Sequence, residues 1–429
     1  MQPAALKVVM WGTTIGYLGQ QDEGFVSFQY DEDFLGSGIQ ISPLKMPLSQ
    51  ETYTFPTLPE DTFHGLPGAF ADSLPDKFGT ALLGGYLSSK GKSKDELTAL
   101  ERLCYTGNRG MGALEYEPAY EVASQTGQQV DLDELAKIAE AVLARKEGEM
   151  LEDRDGLVSL LMESSSSVGG ARAKALIAIN PETGEVRSGK ADTGDGFEHW
   201  LIKFGNLKNN SDRDEQPDED GYTRIEYAYY LMAKAAGINM EDCLLREEGG
   251  CAHFLTRRFD RDRATGSKIH MQTLCGLAHA DFKEPRSYSY EQAFLVLRKI
   301  GLDYPDMLEL FKRMVFNDFA KNYDDHTKNI SFLMDKQGVW SLAPAYDVTY
   351  NYKPSSIWVN SHQMLIAGKS KDIDPEDLMA VAKEVGIRAT DARDVMEQMR
   401  DCVLNWEEYA AQANIPEKRC FELKQNFNV

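Results

Sequence analysis

The sequence predicts an α+β protein of two lobes with a strand-rich N-terminal subdomain. Three observations predict it. Short apolar runs separated by turn residues crowd the first 120 residues. Strand-sized runs recur around 175–179, 199–205 and 251–262. Helical apolar periodicity dominates after about residue 262. At roughly 150 residues per domain, a chain of 429 residues holds two or three units. We divide it at 1–125, 126–260 and 261–429.

Residues 6–10, 15–18 and 25–30, with Gly12 after the first, read as strand, turn, strand, strand. Pro43, Pro47, Pro56, Pro59, Pro67 and Pro75 fall within 33 residues. Each fixes φ and removes a donor, so this stretch is an ordered, loop-rich segment with no long helix. A helix is expected over 76–88, and the glycines of 107–112 lead into a short strand. Leu132, Leu135, Ile138 and Val142 share one face of a helix over 131–145, with Asp131 or Asp133 as its cap. An acidic stretch, 144–156, marks a boundary. A glycine- and serine-rich loop, 163–174, precedes the strand at 175–179, and the polar segment 180–199 is expected to be a mobile loop. A helix over 222–238 aligns Ile225, Tyr229, Met232 and Ala236 and ends at Gly237. Further helices are expected at 290–300, 305–321, 375–386 and 389–413. Strands at 330–335 and 339–347 flank a turn at 336–338.

Composition bounds the function. Hydrophobic residues make up 42% and aromatics 10%, enough for a large core and too much for a disordered chain. With 46 basic and 68 acidic residues the formal charge is −22, which argues against phosphate-backbone binding by the whole surface. The six cysteines form no CxxC pair and suggest neither a zinc site nor a disulfide framework. The N-terminus lacks the marks of a signal peptide, and no apolar run approaches the roughly 18 residues of a membrane span. A cytoplasmic protein with free thiols and no membrane partner is expected.

The segment 322–351 carries the sharpest chemical signal. A helix runs into a polar loop in which Asp324 and Asn329 stand five apart, the D-x-x-x-x-N spacing of protein-kinase catalytic loops. A hairpin follows, and Asp347 ends its second strand, where such an enzyme carries a metal-binding aspartate. Phosphoryl transfer needs hard Mg²⁺ ions, which take oxygen ligands. Asn329 and Asp347 supply them, and Asp324 would hold the acceptor hydroxyl and take its proton. Lys203 is the lone charge in the apolar run WLIKFG, so it needs a partner or a ligand if buried. Glu226, near the start of the next helix, is its natural partner. Gly169 and Gly170, in SSVGGARAK, allow backbone N–H groups close to phosphate, and Lys174 adds a cation. No Walker A pattern is present.

Taken in order, PLSQETY (47–53), FHGLPGAFADSLPDKFGTALL (63–83), SSVGGARAKAL, HWLIKF, FLTRRFDR (254–261), DDHTKNIS (324–331) and LAPAYDV (342–348) resemble the HipA family, the serine/threonine kinase toxins of bacterial HipBA toxin–antitoxin modules. The resemblance spans nearly the whole chain. It implies a two-lobed kinase-like fold related to phosphoinositide kinases, with ATP and Mg²⁺ bound between the lobes. By carry-over, Asp324 matches the catalytic aspartate, Asn329 and Asp347 the metal ligands, and Lys203 the phosphate-binding lysine. Val168, Gly169, Gly170, Ala171 and Lys174 match the glycine loop. Ser167 matches the autophosphorylated serine, with Ser164, Ser165 and Ser166 as further acceptors. Arg257, Arg258 and Phe259 match the segment that holds the adenine. Lys328 is placed to meet the γ-phosphate, and His326 to bond within the loop. The chain departs from the family pattern at Arg257, often glutamate, and at Asp325, often glycine.

The resemblance also implies a HipB-like helix-turn-helix antitoxin as partner, DNA contact only through that partner, and an aminoacyl-tRNA synthetase as the protein substrate. The segment 180–199 would flank the substrate entrance. A phosphate on Ser167 would carry about −1.5 to −2 charges into the loop that ATP's phosphates need, so autophosphorylation would exclude ATP. Two other classes stay open: a kinase of the same fold outside any toxin module, and a non-catalytic ATP-binding regulator. A neighbouring helix-turn-helix gene discriminates the first, and a phosphotransfer assay the second.

Overall fold

The N-terminal strands pair as their alternation requires. A computed structural model describes residues 4–21, 24–94, 97–120, 130–144, 158, 161–162, 172–189, 196–207 and 221–429. Strands β1 (Ala5–Met10), β2 (Thr13–Gln20) and β3 (Val26–Tyr30) form an antiparallel meander. β4 (Thr52–Tyr53) and β5 (Leu114–Glu117) complete a five-stranded sheet of order β4-β3-β2-β1-β5. The proline-rich stretch folds into short pieces, among them the one-turn helices α1 (Glu60–Phe63) and α2 (Gly68–Ala71). Helix α3 (Lys77–Ser89) starts at Asp76, whose carboxylate caps the Gly79 N–H at 2.6 Å. Helix α4 (Ala99–Thr106) is an addition to the expected elements. It opens with a Thr98–Glu101 capping box, a T-x-x-E signal readable in the sequence.

A second five-stranded sheet follows helix α5 (Leu132–Ala144), which Asp131 caps by accepting from the Asp133 and Glu134 N–H groups. Its strands are β6 (Lys174–Ile179), β7 (Val186–Ser188), β8 (Glu198–Lys203), β9 (Cys243–Glu248) and β10 (Cys251–Arg257), in order β7-β6-β8-β10-β9. Helix α6 (Tyr222–Ala235) lies between β8 and β9 in the chain. Side chains alternate across this sheet. Leu201, Lys203, Phe254 and Thr256 line a cleft, while Trp200, Ile202 and Leu255 enter a core with α3 and α5.

The rest is helical around a three-stranded sheet, β11 (His270–Thr273), β12 (Ser331–Met334) and β13 (Trp340–Leu342). The helices are α7 (Leu274–Ala278), α8 (Tyr290–Lys299), α9 (Tyr304–Phe319), α10 (Pro375–Glu384), α11 (Ala389–Leu404), α12 (Trp406–Gln412) and α13 (Glu417–Lys424).

Four expectations need correction. Part of 180–199 is ordered: Val186, Arg187 and Ser188 pair with β6 through a turn in which the Asn180 carboxamide accepts from the Glu182 and Thr183 N–H groups. β9 was not expected; the Gly249–Gly250 turn, with φ of 57° and 81°, reverses it into β10. The second strand of the 330–347 hairpin stops at Leu342 and does not reach Asp347, because Pro344 has no N–H for the ladder. The helix expected over 389–413 breaks at Asn405, where the chain turns to bury Trp406 and bond its indole N–H to the Cys420 carbonyl at 3.1 Å.

The apolar packing crosses the divisions at 125 and 260. Helix α3 packs into the core behind the second sheet. Helix α6 packs into the large core shared by the N-terminal sheet and the C-terminal helices. The N-terminal part is seated on α7 at a glycine contact. A Cβ on Gly68 would lie 2.4 Å from the Gly276 carbonyl, and one on Gly276 2.2 Å from the Asp72 carboxylate. Asp72 in turn accepts from the Thr273 N–H and hydroxyl at 2.8 Å, at the head of α7.

Candidate active site

Lys203 ends β8, and the β6–β8 register sets it directly opposite Lys174. Directly opposed residues share a face, and two ammonium groups there repel. Each is therefore met by carboxylate. Lys174 Nζ donates to Asp76 at 2.6 Å, so the cap of α3 also neutralises the lysine expected to close the glycine loop. Lys203 Nζ donates to Glu226 at 2.5 Å and also to Asp347. Glu226 sits in the first turns of α6, and Asp347 follows β13 in a left-handed conformation, with φ of 51°. Burial depresses the Lys203 ammonium, but the two carboxylates outweigh it and hold its pKa above the ordinary lysine value. Burial pushes the Glu226 carboxyl up against the pull of Lys203. Burial also raises Asp347, and there Lys203 wins, leaving its pKa below the usual carboxylate range.

The loop after α9 carries the other expected residues. Its start is anchored where the Tyr229 hydroxyl donates to the Ala320 carbonyl and Asn322 donates to Asn317 at 2.9 Å. Asp324 and Asp325 have opposite surroundings. Asp325 is buried and accepts from the Tyr290 hydroxyl at 2.9 Å, the Gln363 N–H at 2.7 Å and the His362 ring at 2.7 Å. Asp324 is half-buried, with His326 Nε2 3.9 Å from its carboxylate. Asn329 donates from its amide nitrogen to the Asp324 carbonyl at 2.8 Å, which leaves the amide oxygen as the atom it can offer a cation. The Tyr346 hydroxyl staples the two loops together: it bonds the Ser331 hydroxyl at 2.5 Å and donates to the Lys328 carbonyl.

Some of these groups meet at a cleft of about 1030 Å³, counting solvent at its mouth, the scale of a small-molecule site, which neither Lys174 nor Asp324 lines. Lys203, Glu226, Asp347, Lys328, Arg257, Arg258 and Phe259 line it. Asn329 and His326 line a smaller adjoining cavity, and Tyr346 borders both. Phe259 packs against Tyr346 with ring centroids 5.5 Å apart. Both guanidinium groups are committed to protein carboxylates: Arg257 to Glu198 at 3.1 Å, and the buried Arg258 to Asp260 at 2.7 Å. Ser164, Ser165, Ser166, Ser167, Val168, Gly169, Gly170 and Ala171 lie outside the described residues. Sequence reasoning missed Tyr346, for which no pattern speaks, and Asp76, whose place just before a helix was readable as a cap. It also missed that Asp72, Ser73, Met111 and Leu114 bring the N-terminal part into the cleft wall. Among the described residues no cluster of three or more His, Cys, Asp and Glu forms a metal cage, and no helix is long and apolar enough to cross a membrane. An amide and a carboxylate oxygen suit a hard cation that completes its shell with phosphate and water.

The fold and site together define a two-lobed α+β protein with a buried lysine–carboxylate cluster in its inter-lobe cleft. The chain belongs to the HipA family: the family model for the HipA-like C-terminal domain matches residues 166–406, and that for the HipA N-terminal domain matches residues 6–117. Among solved structures the chain is similar to HipA of Shewanella oneidensis MR-1, from a toxin–antitoxin system, solved as a complex of HipA, HipB and its operator DNA. The match covers 98% of this chain and 95% of that one at 15% identity, with a TM-score of 0.67. A Helicobacter pylori proinflammatory kinase, CtkA, aligns with 53% of this chain and 92% of its own at 12% identity, with a TM-score of 0.29, and nothing here rests on it.

Proposed function

We propose that this protein is an ATP- and Mg²⁺-dependent serine/threonine protein kinase, the toxin of a HipBA-type module. The observation that carries the reading is Lys203 held between Glu226 and Asp347 at the floor of a cleft that Phe259 and Lys328 also line. A lysine so fixed stays in place while phosphate oxygens replace Asp347 as its partner. Asp347 is the more open of the two carboxylates, its side chain 26% exposed against 3% for Glu226, and would be the one to take a ligand. A divalent cation held by Asn329 and Asp347 would neutralise charge on the phosphates. Asp324 would orient the acceptor hydroxyl and accept its proton. With Arg257 and Arg258 paired to Glu198 and Asp260, Phe259 and the neighbouring backbone would meet the adenine.

The Shewanella relative was solved with HipB and operator DNA. A small basic helix-turn-helix antitoxin is the partner we propose here too, and it would suit a chain of charge −22. An aminoacyl-tRNA synthetase is the proposed protein substrate, and phosphorylation of Ser167 the proposed off-switch. Radiolabelled ATP assays of the wild type and Asp324→Ala test the core of the reading. Transfer in the wild type, falling at least about 100-fold in the variant, is expected; equal transfer by the two proteins overturns it.

A further inference from the structure

Below the catalytic loop lies a second charged cluster that the reading above does not use. His362 is fully buried. Its Nδ1 is 2.7 Å from the Asp325 carboxylate and its Nε2 3.2 Å from that of Asp318. A neutral imidazole carries one N–H, so it can donate to only one of two carboxylates; the imidazolium donates to both. Asp318 belongs to the last turn of α9 and Asp325 to the loop beside Asp324. Asp318 comes from α9, and Asp325 and Tyr323 from the loop, with the Tyr323 ring centroid 4.2 Å from the imidazole. Tyr290 of α8 donates to Asp325, and the carboxamide of Asn428, near the C-terminus, donates to Asp318 at 2.9 Å.

We propose that His362 is a positioning residue: bridging Asp318 and Asp325, it locks the loop carrying Asp324 and Asn329 onto the end of α9, and loss of its ring proton releases that loop. The catalytic part of this inference rests on the kinase reading. Burial alone would depress the imidazolium, but Asp325 and Asp318 outweigh it and lift its pKa from 6.5 to about 9. The sign follows. The folded value is raised, so the lock is complete below about pH 6.5 and is lost as pH rises through about 9.

The test compares wild type with Asp318→Asn, which keeps an acceptor and removes a charge. Two readouts are followed against pH: kcat for phosphotransfer, and amide-exchange protection of residues 323–330 corrected for intrinsic exchange, with circular dichroism to show that both proteins are folded. The alkaline limb of both readouts is expected to move down by roughly one pH unit or more in Asp318→Asn, the shift that loss of one neighbouring charge gives, with KM for ATP little changed. A limb that stays in place in the folded variant overturns the proposal. So does a His362 imidazole that titrates near 6.5 by NMR in the wild type. If neither protein transfers phosphate at any pH while the exchange limb still shifts, the lock stands and the kinase reading falls.

Discussion

Among the described residues two buried cations each stand between two carboxylates, Lys203 with Glu226 and Asp347, and His362 with Asp318 and Asp325. The first opens onto the cleft through Asp347; in the second every side chain is at most 1% exposed. A sealed cluster can only hold its own parts together, because no ligand reaches it. An open one can exchange a protein partner for a ligand, because the carboxylate at its mouth is partly solvated and the cation stays in place. On our proposals the same ion-pair chemistry would make a lock in one place and a binding floor in the other, and solvent access would decide which.

Breaking the sealed cluster should cost most. His362→Leu leaves two buried carboxylates without a counter-charge and should lose about 3–5 kcal/mol of stability, read from denaturant midpoints. A loss under about 1 kcal/mol would show that the cluster is not sealed in solution. Lys203→Met breaks the open cluster. It should lower phosphotransfer about 10²–10³-fold, the effect of removing one preorganised donor. It should destabilise less than His362→Leu, since Asp347 can be hydrated and Glu226, its carboxyl already pushed up by burial, can take a proton. The reverse order of stabilities would break the comparison. Tyr346→Phe touches neither cluster directly but cuts the staple between the two loops at Ser331 and Lys328. A loss of about 1–2 kcal/mol is expected, with a fall in ATP affinity by calorimetry larger than in a surface variant such as Phe421→Ser.

The two clusters were unequally legible. Lys203 stood out because a single charge in an apolar strand demands compensation, and Glu226 followed as the next acid on an amphipathic helix. Asp324, Asn329 and Asp347 were found through spacing. Spacing pointed to Asp324, but neighbours in sequence carry no label of burial; three hydrogen bonds from Tyr290, His362 and Gln363 enclose Asp325, while Asp324 is half-buried. His362 sits 37 residues from Asp325 and 44 from Asp318 with no recurring pattern between them. The same limit hid Asp76, 98 residues from Lys174.

Local chemistry was enough for most of the elements: proline kept 43–75 free of long helices, apolar periodicity drew α5, α6, α8 and α9, and the order of motifs announced the family. What the chain alone left undecided were the ends of β13 and α11, the hairpins at Gly249 and Asn180, and the partners of every buried charge. Turns, caps and periodicity are short-range and written in neighbouring residues. Charge compensation is a property of distance in space, and only the folded chain determines which carboxylate reaches which cation and which of them water can still reach.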